Sequence, residues 1–199
     1  MSRLLETIKV LDGQIANIAY HNERLNQSRI ELYGPMPPID LSQHIFISDY
    51  HSKGCYKCRV LYSQDIERIE LHSYQLRAIS SLKILHSDTI DYHLKYEDRT
   101  ALHQLYDLRE SYDDILVIKE GMVTDTYYCN VALRRNGQHW ITPDTPLLPG
   151  TKRAQLLADG RLIPVAVKLD EIHSYDEIGL FNSMIDLGQI VFPTSQISI

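Results

Sequence analysis

From residue 4 the chain alternates. Leu5, Thr7 and Lys9 fall on one side and Glu6, Ile8 and Val10 on the other, up to an Asp12-Gly13 turn signal, which predicts a strand and a short return over 15–18. The period then changes to three and four: His21, Arg24, Leu25, Ser28 and Arg29 predict a helix over 20–32, stopped by Gly34 and by Pro35, Pro37 and Pro38. That helix sets His21 and Arg24 on one face. Asp40 is an N-cap candidate for a second short helix reaching Ile47. Segments 56–62, 66–74 and 82–85 are rich in β-branched and aromatic residues and predict strands of an antiparallel meander. The polar stretch 88–95 is the natural boundary between lobes.

Beyond it, Leu102, Leu105 and Leu108 predict a helix over 97–109 with Lys95 at its head. Short strands follow over 115–119, 121–125, 128–134 and 140–142, punctuated by Glu120-Gly121 and Asn136-Gly137. After Pro149-Gly150 the pattern predicts a helix over 151–158, a strand over 162–167, a short helix after Asp170 and a strand over 178–181. The expectation is an α+β fold of two lobes, 1–90 and 91–199, mostly antiparallel strands with peripheral helices.

Composition narrows the possibilities. The 199 residues are 44% hydrophobic and 23% charged, as in ordinary globular proteins, and the formal net charge of -6 argues against a generic nucleic-acid binder. No apolar run approaches the ~18 residues of a membrane span. The start, Met-Ser-Arg-Leu-Leu-Glu-Thr, lacks a signal-peptide pattern, so a cytoplasmic location is expected. Three cysteines do not make a disulfide framework.

Four features carry candidate chemistry. Cys55 and Cys58, with His51 upstream, could supply three zinc ligands, but no second cluster offers a fourth, so a half-buried strand is preferred and no metal is expected. Residues 147–153, Leu-Leu-Pro-Gly-Thr-Lys-Arg, place backbone donors at a helix start, which suits an anion as well as it suits a plain turn. Lys95 is a solvated charge unless a carbonyl partner and a held phosphate lie near it, in which case it is an imine-forming nucleophile. Asp125 is either a buried carboxylate facing a cation or an edge-strand residue.

These pieces occur in an order that resembles the class IV aminotransferases, the fold-type IV pyridoxal-phosphate enzymes, and within them the aminodeoxychorismate lyase branch. Glu6-Thr7-Ile8-Lys9-Val10, Asp12-Gly13 and Tyr20 to Leu25 are similar to the family's strand, turn and helix leading to its phosphate-binding arginine, here Arg24. Lys95-Tyr96-Glu97-Asp98-Arg99 resembles the segment with the Schiff-base lysine, and Glu120 to Val131 resembles the family's paired strands. Thr142-Pro143, Leu147 to Arg153 and Asn182-Ser183-Met184 complete the likeness, which is loose over 34–90.

The resemblance implies pyridoxal 5'-phosphate as cofactor, with Lys95 and Thr7 catalytic. It implies cofactor binding by Arg24, Asp125, Asn130, Thr151, Lys152, Asn182 and Ser183 as well as Lys95. The implied reaction is pyruvate elimination from aminodeoxychorismate to 4-aminobenzoate, a step of folate biosynthesis, in a homodimer. An amino acid transaminase and a cofactor-holding protein without efficient turnover remain the alternatives. Three departures stand out. Only Met1 to Leu5 precede Glu6 where the family carries a longer substrate-framing run, which leaves Arg99, Lys57 and Arg59 as the basic candidates for a substrate carboxylate. Asp125 stands where Glu is usual, and Lys152 where many members have a hydroxyl.

Overall fold

Strand β1 (Leu4–Leu11) buries every second side chain: Leu4, Glu6, Ile8 and Val10 are enclosed and the residues between them are half exposed. A computed structural model describes residues 2–198. β1 turns through Asp12-Gly13 into the two-residue β2 (Gln14–Ile15), and helix α1 (Ile18–Tyr33) follows, ended by Gly34, whose N–H donates to Ile30 O. Gly34 has φ 87°, a conformation that favours glycine, and so it stops the helix. β3 (Cys55–Tyr62) and β4 (Ile66–Ser73) complete an antiparallel sheet in the order β2-β1-β3-β4. Its core is Leu4, Ile8, Val10, Leu25, Leu41, Val60 and Tyr62 with Leu94.

The helix expected from Asp40 to Ile47 is a single 3-10 turn, Leu41–Gln43. Asp40 does cap it, accepting from Ser42 N, but the chain before it is already fastened to α1. Asn22 accepts from Leu41 N and donates to Asp40, while Asn26 brackets Ile39 through both its N–H and its carbonyl. An extended segment gripped in this way does not wind into a helix.

The second sheet contains β5 (Leu82–His86), β6 (Asp114–Lys119), β7 (Met122–Thr126), β8 (Asn130–Arg134) and β9 (Ile141–Pro143). Helix α2 (Thr100–Asp107) lies between β5 and β6 in the chain. After α3 (Thr151–Ala158) come β10 (Ile163–Val165), β11 (Glu177–Phe181), β12 (Ile190–Pro193) and β13 (Ile197–Ser198). The expected meander partner 82–85 belongs here instead: β5 pairs parallel with β6, and the long connection carrying α2 is what parallel pairing requires. β12 and β13 extend this sheet system beyond the strands expected from sequence, and the short helix after Asp170 is a 3-10 turn, Leu169–Ser174.

The chain divides into two compact units, the first ending at Leu76 but including Leu94–Asp98, the second made of Arg77–His93 and the chain from Arg99 onward. The backbone thus passes from one to the other three times. Lys95 does not head a helix. Leu5 N donates to Lys95 O, Glu97 N donates to Arg3 O, and Tyr96 bridges Leu4, so this segment lies extended along the edge of β1. α2 begins only at Thr100.

Candidate active site

In the first unit the register sets Lys95 beside Leu5, and strand alternation puts Thr7 on the same face of β1 as Leu5. The opposite face of β1 carries Glu6, fully enclosed. Arg24 Nε donates to Glu6 Oε1 at 2.8 Å, Arg24 Nη2 donates to Oε2 at 2.6 Å, and His21 Nδ1 reaches Oε2 at 2.6 Å. Burial pushes the Glu6 carboxyl up, but the Arg24 and His21 contacts outweigh it and hold its pKa at about 2. Burial lowers the His21 pKa further than Glu6 raises it, and because the ionised Glu6 carboxylate can only accept, His21 Nδ1–H donates to it.

In the second unit Asp125 lies on β7, 6% exposed, opposite Asn130 on β8. Asn130 Nδ2 donates to Asp125 Oδ1 at 2.8 Å and to Leu148 O at 2.9 Å, and Leu148 N donates to Asp125 Oδ2 at 2.9 Å. These neutral donors orient the carboxylate without neutralising it. Burial is the largest influence and pushes its pKa up to about 6, against the pull of those hydrogen bonds and of Arg153.

The same pair steers the loop into α3. Gly150 approaches Asn130 so closely that a Cβ there would come 2.1 Å from Asn130 Oδ1, which explains a glycine at a backbone conformation any residue could adopt. Thr151 and Lys152 are the first two residues of α3, whose Gly150 N-cap has no side chain to take up the first-turn amides. The Lys152 ammonium pairs with Asp186 at 2.7 Å.

The Asn182 side chain is tied into its own surroundings. Its Nδ2 donates to Tyr128 O and to Cys129 Sγ, and its Oδ1 accepts from Met184 N and Ile185 N. All four contacts brace the turn that carries Ser183. Arg99 donates to Tyr127 O and stacks its guanidinium 4.1 Å from the centre of the Tyr127 ring. Arg59 faces Glu70 at 3.5 Å, and Lys57 lies opposite Lys9 and His72 in register.

Cys55 and Cys58 are three apart on β3, which turns them to opposite faces; Cys58 is enclosed and burial pushes its thiol up to about 11. Cys129 packs in the interior. Among the described residues no group of His, Cys, Asp or Glu is arranged to hold a metal ion, and no helix is long and apolar enough to cross a membrane.

The structure therefore gathers Arg24 and Lys95 into the first unit with Thr7, and Asp125, Asn130, Thr151, Lys152, Asn182 and Ser183 into the second. Sequence reasoning did not give Glu6 and His21 a role. The signal was present, since a carboxylate in phase with Ile8 and Val10 has to be balanced by something. Asp114 was also passed over. It is fully buried at the start of β6, accepts from Ile115 N and Tyr127 N, and is pushed up to about 6 by burial.

The mixed fold of mostly antiparallel strands with few helices matches that of fold-type IV aminotransferase structures. Residues 92–191 match the amino-transferase class IV family. An uncharacterized protein of Haemophilus influenzae is 34% identical over 186 residues, covering 92% of this chain and 98% of its own. The crystal structure of a candidate 4-amino-4-deoxychorismate lyase from Haemophilus somnus superposes with a TM-score of 0.86 at 36% identity, covering 94% of this chain and 98% of that one. A hypothetical aminotransferase from Mycobacterium tuberculosis in its PLP-bound form shares the fold, with a TM-score of 0.75 at 17% identity over 95% of this chain and 80% of its own. The chain belongs to the class IV aminotransferases, a family of pyridoxal-phosphate-dependent enzymes.

Proposed function

We propose that this protein binds pyridoxal 5'-phosphate and eliminates pyruvate from 4-amino-4-deoxychorismate to give 4-aminobenzoate. The observation that carries the reaction is the 36% identity, over 94% of the chain, to the Haemophilus somnus protein named for that activity. The residues suit the cofactor. Asp125 is an oriented carboxylate whose pKa burial pushes up to about 6, and a protonated pyridine nitrogen is a cation it could pair with. The helix start after Gly150 supplies backbone donors for a phosphate.

When bound, the cofactor withdraws electrons from the substrate bond that breaks. Asp125 would keep a proton on the pyridine nitrogen. Asn130 and Leu148 N hold that carboxylate in one orientation. In the second unit the Thr151 and Lys152 amides and Ser183 would hold the phosphate, with Asn182 bracing the turn that carries Ser183, and in the first unit Arg24 would be the phosphate-binding arginine. Lys95 Nζ would carry the cofactor and move the substrate proton, with Thr7 on the face of β1 that Leu5 shares. Arg99 is the candidate for a substrate carboxylate.

Elimination balances without a second substrate: the amine leaves as 4-aminobenzoate, the side chain leaves as pyruvate, and nothing is oxidised or reduced overall. Purified protein given aminodeoxychorismate and cofactor is therefore expected to release both products over many turnovers with no keto acid present. A single half-turnover that stops until a keto acid is added overturns the lyase reading in favour of a transaminase. Borohydride reduction followed by peptide mapping is expected to find the pyridoxyl group on Lys95. A label on another lysine, or no uptake, overturns the reading as a whole. A homodimer belongs to the same reading and is checked by solution scattering.

A further inference from the structure

Glu6 stands on the apolar face of β1 in phase with Leu4, Ile8 and Val10, a place where an ionised carboxylate survives only if it is paired. Both of its partners come from one face of α1. Arg24 lies three residues beyond His21, so the two side chains reach the same strand residue. The cluster contains one anion, one cation and an imidazole that donates to the anion.

The geometry of the Arg24 contact matters most. A guanidinium is a rigid planar fork, and here its Nε–Nη2 edge is bound to the two oxygens of one carboxylate. Turning the fork about its last bonds would break both contacts at once. His21 in turn donates to Glu6 Oε2, so the carboxylate is itself prevented from rotating. Glu6 is wholly enclosed, the His21 side chain is 1% exposed and the Arg24 side chain 13%, so Arg24 is the member that reaches outward.

We propose that Glu6 and His21 are positioning residues that commit Arg24 to one orientation for binding the cofactor's phosphate. The proposal rests on the reading of Arg24 given above and extends it to two residues that touch neither substrate nor cofactor. An arginine held in advance loses little conformational freedom when the anion arrives, which is the ordinary source of affinity in a pre-organised site. A depressed Glu6 carboxyl also keeps the clamp charged across the whole range in which a phosphate is ionised.

The test compares affinity for pyridoxal phosphate with affinity for pyridoxal, which lacks the phosphate, by absorbance titration without turnover. The unaltered protein is expected to prefer the phosphate form, and Arg24→Met to lose that preference. Glu6→Gln, which presents one acceptor and one donor to a fork needing two acceptors, is expected to reduce the preference by about tenfold and leave pyridoxal affinity unchanged. His21→Asn, whose side-chain N–H can take the place of Nδ1–H, is expected to retain it. A folded Glu6→Gln protein with the original preference overturns the proposal. An equal loss toward both ligands does so too, because it marks a purely structural role. If Glu6→Gln does not fold, Glu6→Asp, which keeps the charge but withdraws it by one methylene, is read in the same way. If neither folds, His21→Leu decides by the same ratio. Absence of any preference in the unaltered protein, or its survival in Arg24→Met, overturns instead the reading of Arg24.

Discussion

Glu6 and Asp125 are both buried carboxylates on strands, one in each unit of the molecule, and burial alone would push both up. Glu6 ends at about 2 and Asp125 at about 6. The difference is the charge of what surrounds them. Glu6 has a guanidinium on both its oxygens and an imidazole N–H besides, whereas the donors on Asp125 are an amide side chain and a backbone N–H. Neutral donors orient a carboxylate as well as charged ones do, but they repay less of the cost of drying it. A completed ion pair is part of the fold. A carboxylate held in place without a full counter-charge is suited to a cation that arrives from outside.

The sharpest way to break this comparison is to remove each carboxylate in turn. Asp125→Ala is expected to lower turnover by about a hundredfold or more while cofactor is still taken up through its phosphate, because loss of a preorganised charge acts on the reacting state. Parallel kinetics and cofactor titration check this. Unchanged turnover removes Asp125 from the mechanism.

Stability is expected to move by different amounts. Glu6→Ala leaves Arg24 uncompensated and should destabilise the protein by about 3–5 kcal/mol. Asp125→Asn removes a charge that burial disfavours, but it turns an amide N–H toward Asn130 Nδ2 or Leu148 N, both of them donors, so at pH 8 without cofactor it should cost much less than Glu6→Ala. The shift from an ordinary 3.8 to about 6 sets a ceiling of ~3 kcal/mol on what losing the charge can offset. Urea midpoints of the two variants decide the matter, and an equal loss in both would mean that Asp125 is as fully paired as Glu6.

The pH dependence separates the two groups without mutation. Glu6, depressed from 4.5 to about 2, contributes stability that is present above pH 4.5 and is lost as pH falls toward 2. Asp125 and Asp114, raised from 3.8 to about 6, hold protons in the folded chain that the unfolded chain has released, so their contribution is lost as pH rises from about 4 through 6. Saturating cofactor should flatten the Asp125 part of that second slope and leave the Asp114 part. Urea midpoints taken across pH 3–8 with and without cofactor test it.

Two smaller effects follow from the loop that Asp125 holds. Gly150→Ala drives a Cβ into Asn130, which is pinned to Asp125 and to Leu148 O and has little room to yield, so a loss of about 1–3 kcal/mol is expected, with weakened cofactor affinity. Lys152→Ala removes a pair with the half-exposed Asp186 and the packing of a largely enclosed aliphatic stem, and should cost about 1 kcal/mol. Its cofactor affinity should stay close to the original, since the backbone amide is kept. Thermal melts and titrations check both.

Periodicity alone carried α1, α3 and most strands, because which face of a helix or strand is apolar is written locally. It also placed His21 and Arg24 on one face of α1, and Asp125 at the end of a strand leading toward Asn130. The family likeness gathered the remaining candidates, Lys95, Thr7 and the Gly150 helix start, from motifs scattered along the chain. The same local logic misassigned 82–85, since a strand's apolar pattern does not say whether its partner is the neighbour in sequence or a strand beyond a helix. It placed Lys95 at the head of a helix for the same reason.

What the sequence determined by itself was most of the menu of elements and a set of candidate residues, because both depend on side-chain type and spacing over a few positions. Tertiary structure alone decided that Lys95 lies along the edge of β1, that the Asn182 amide braces a turn, and that Glu6 is answered by Arg24 and His21 while Asp125 is not answered in kind. These outcomes depend on which distant groups meet once apolar faces are buried. A carboxylate's acidity follows from those neighbours and from the water they exclude, and neither is encoded in the residues beside it.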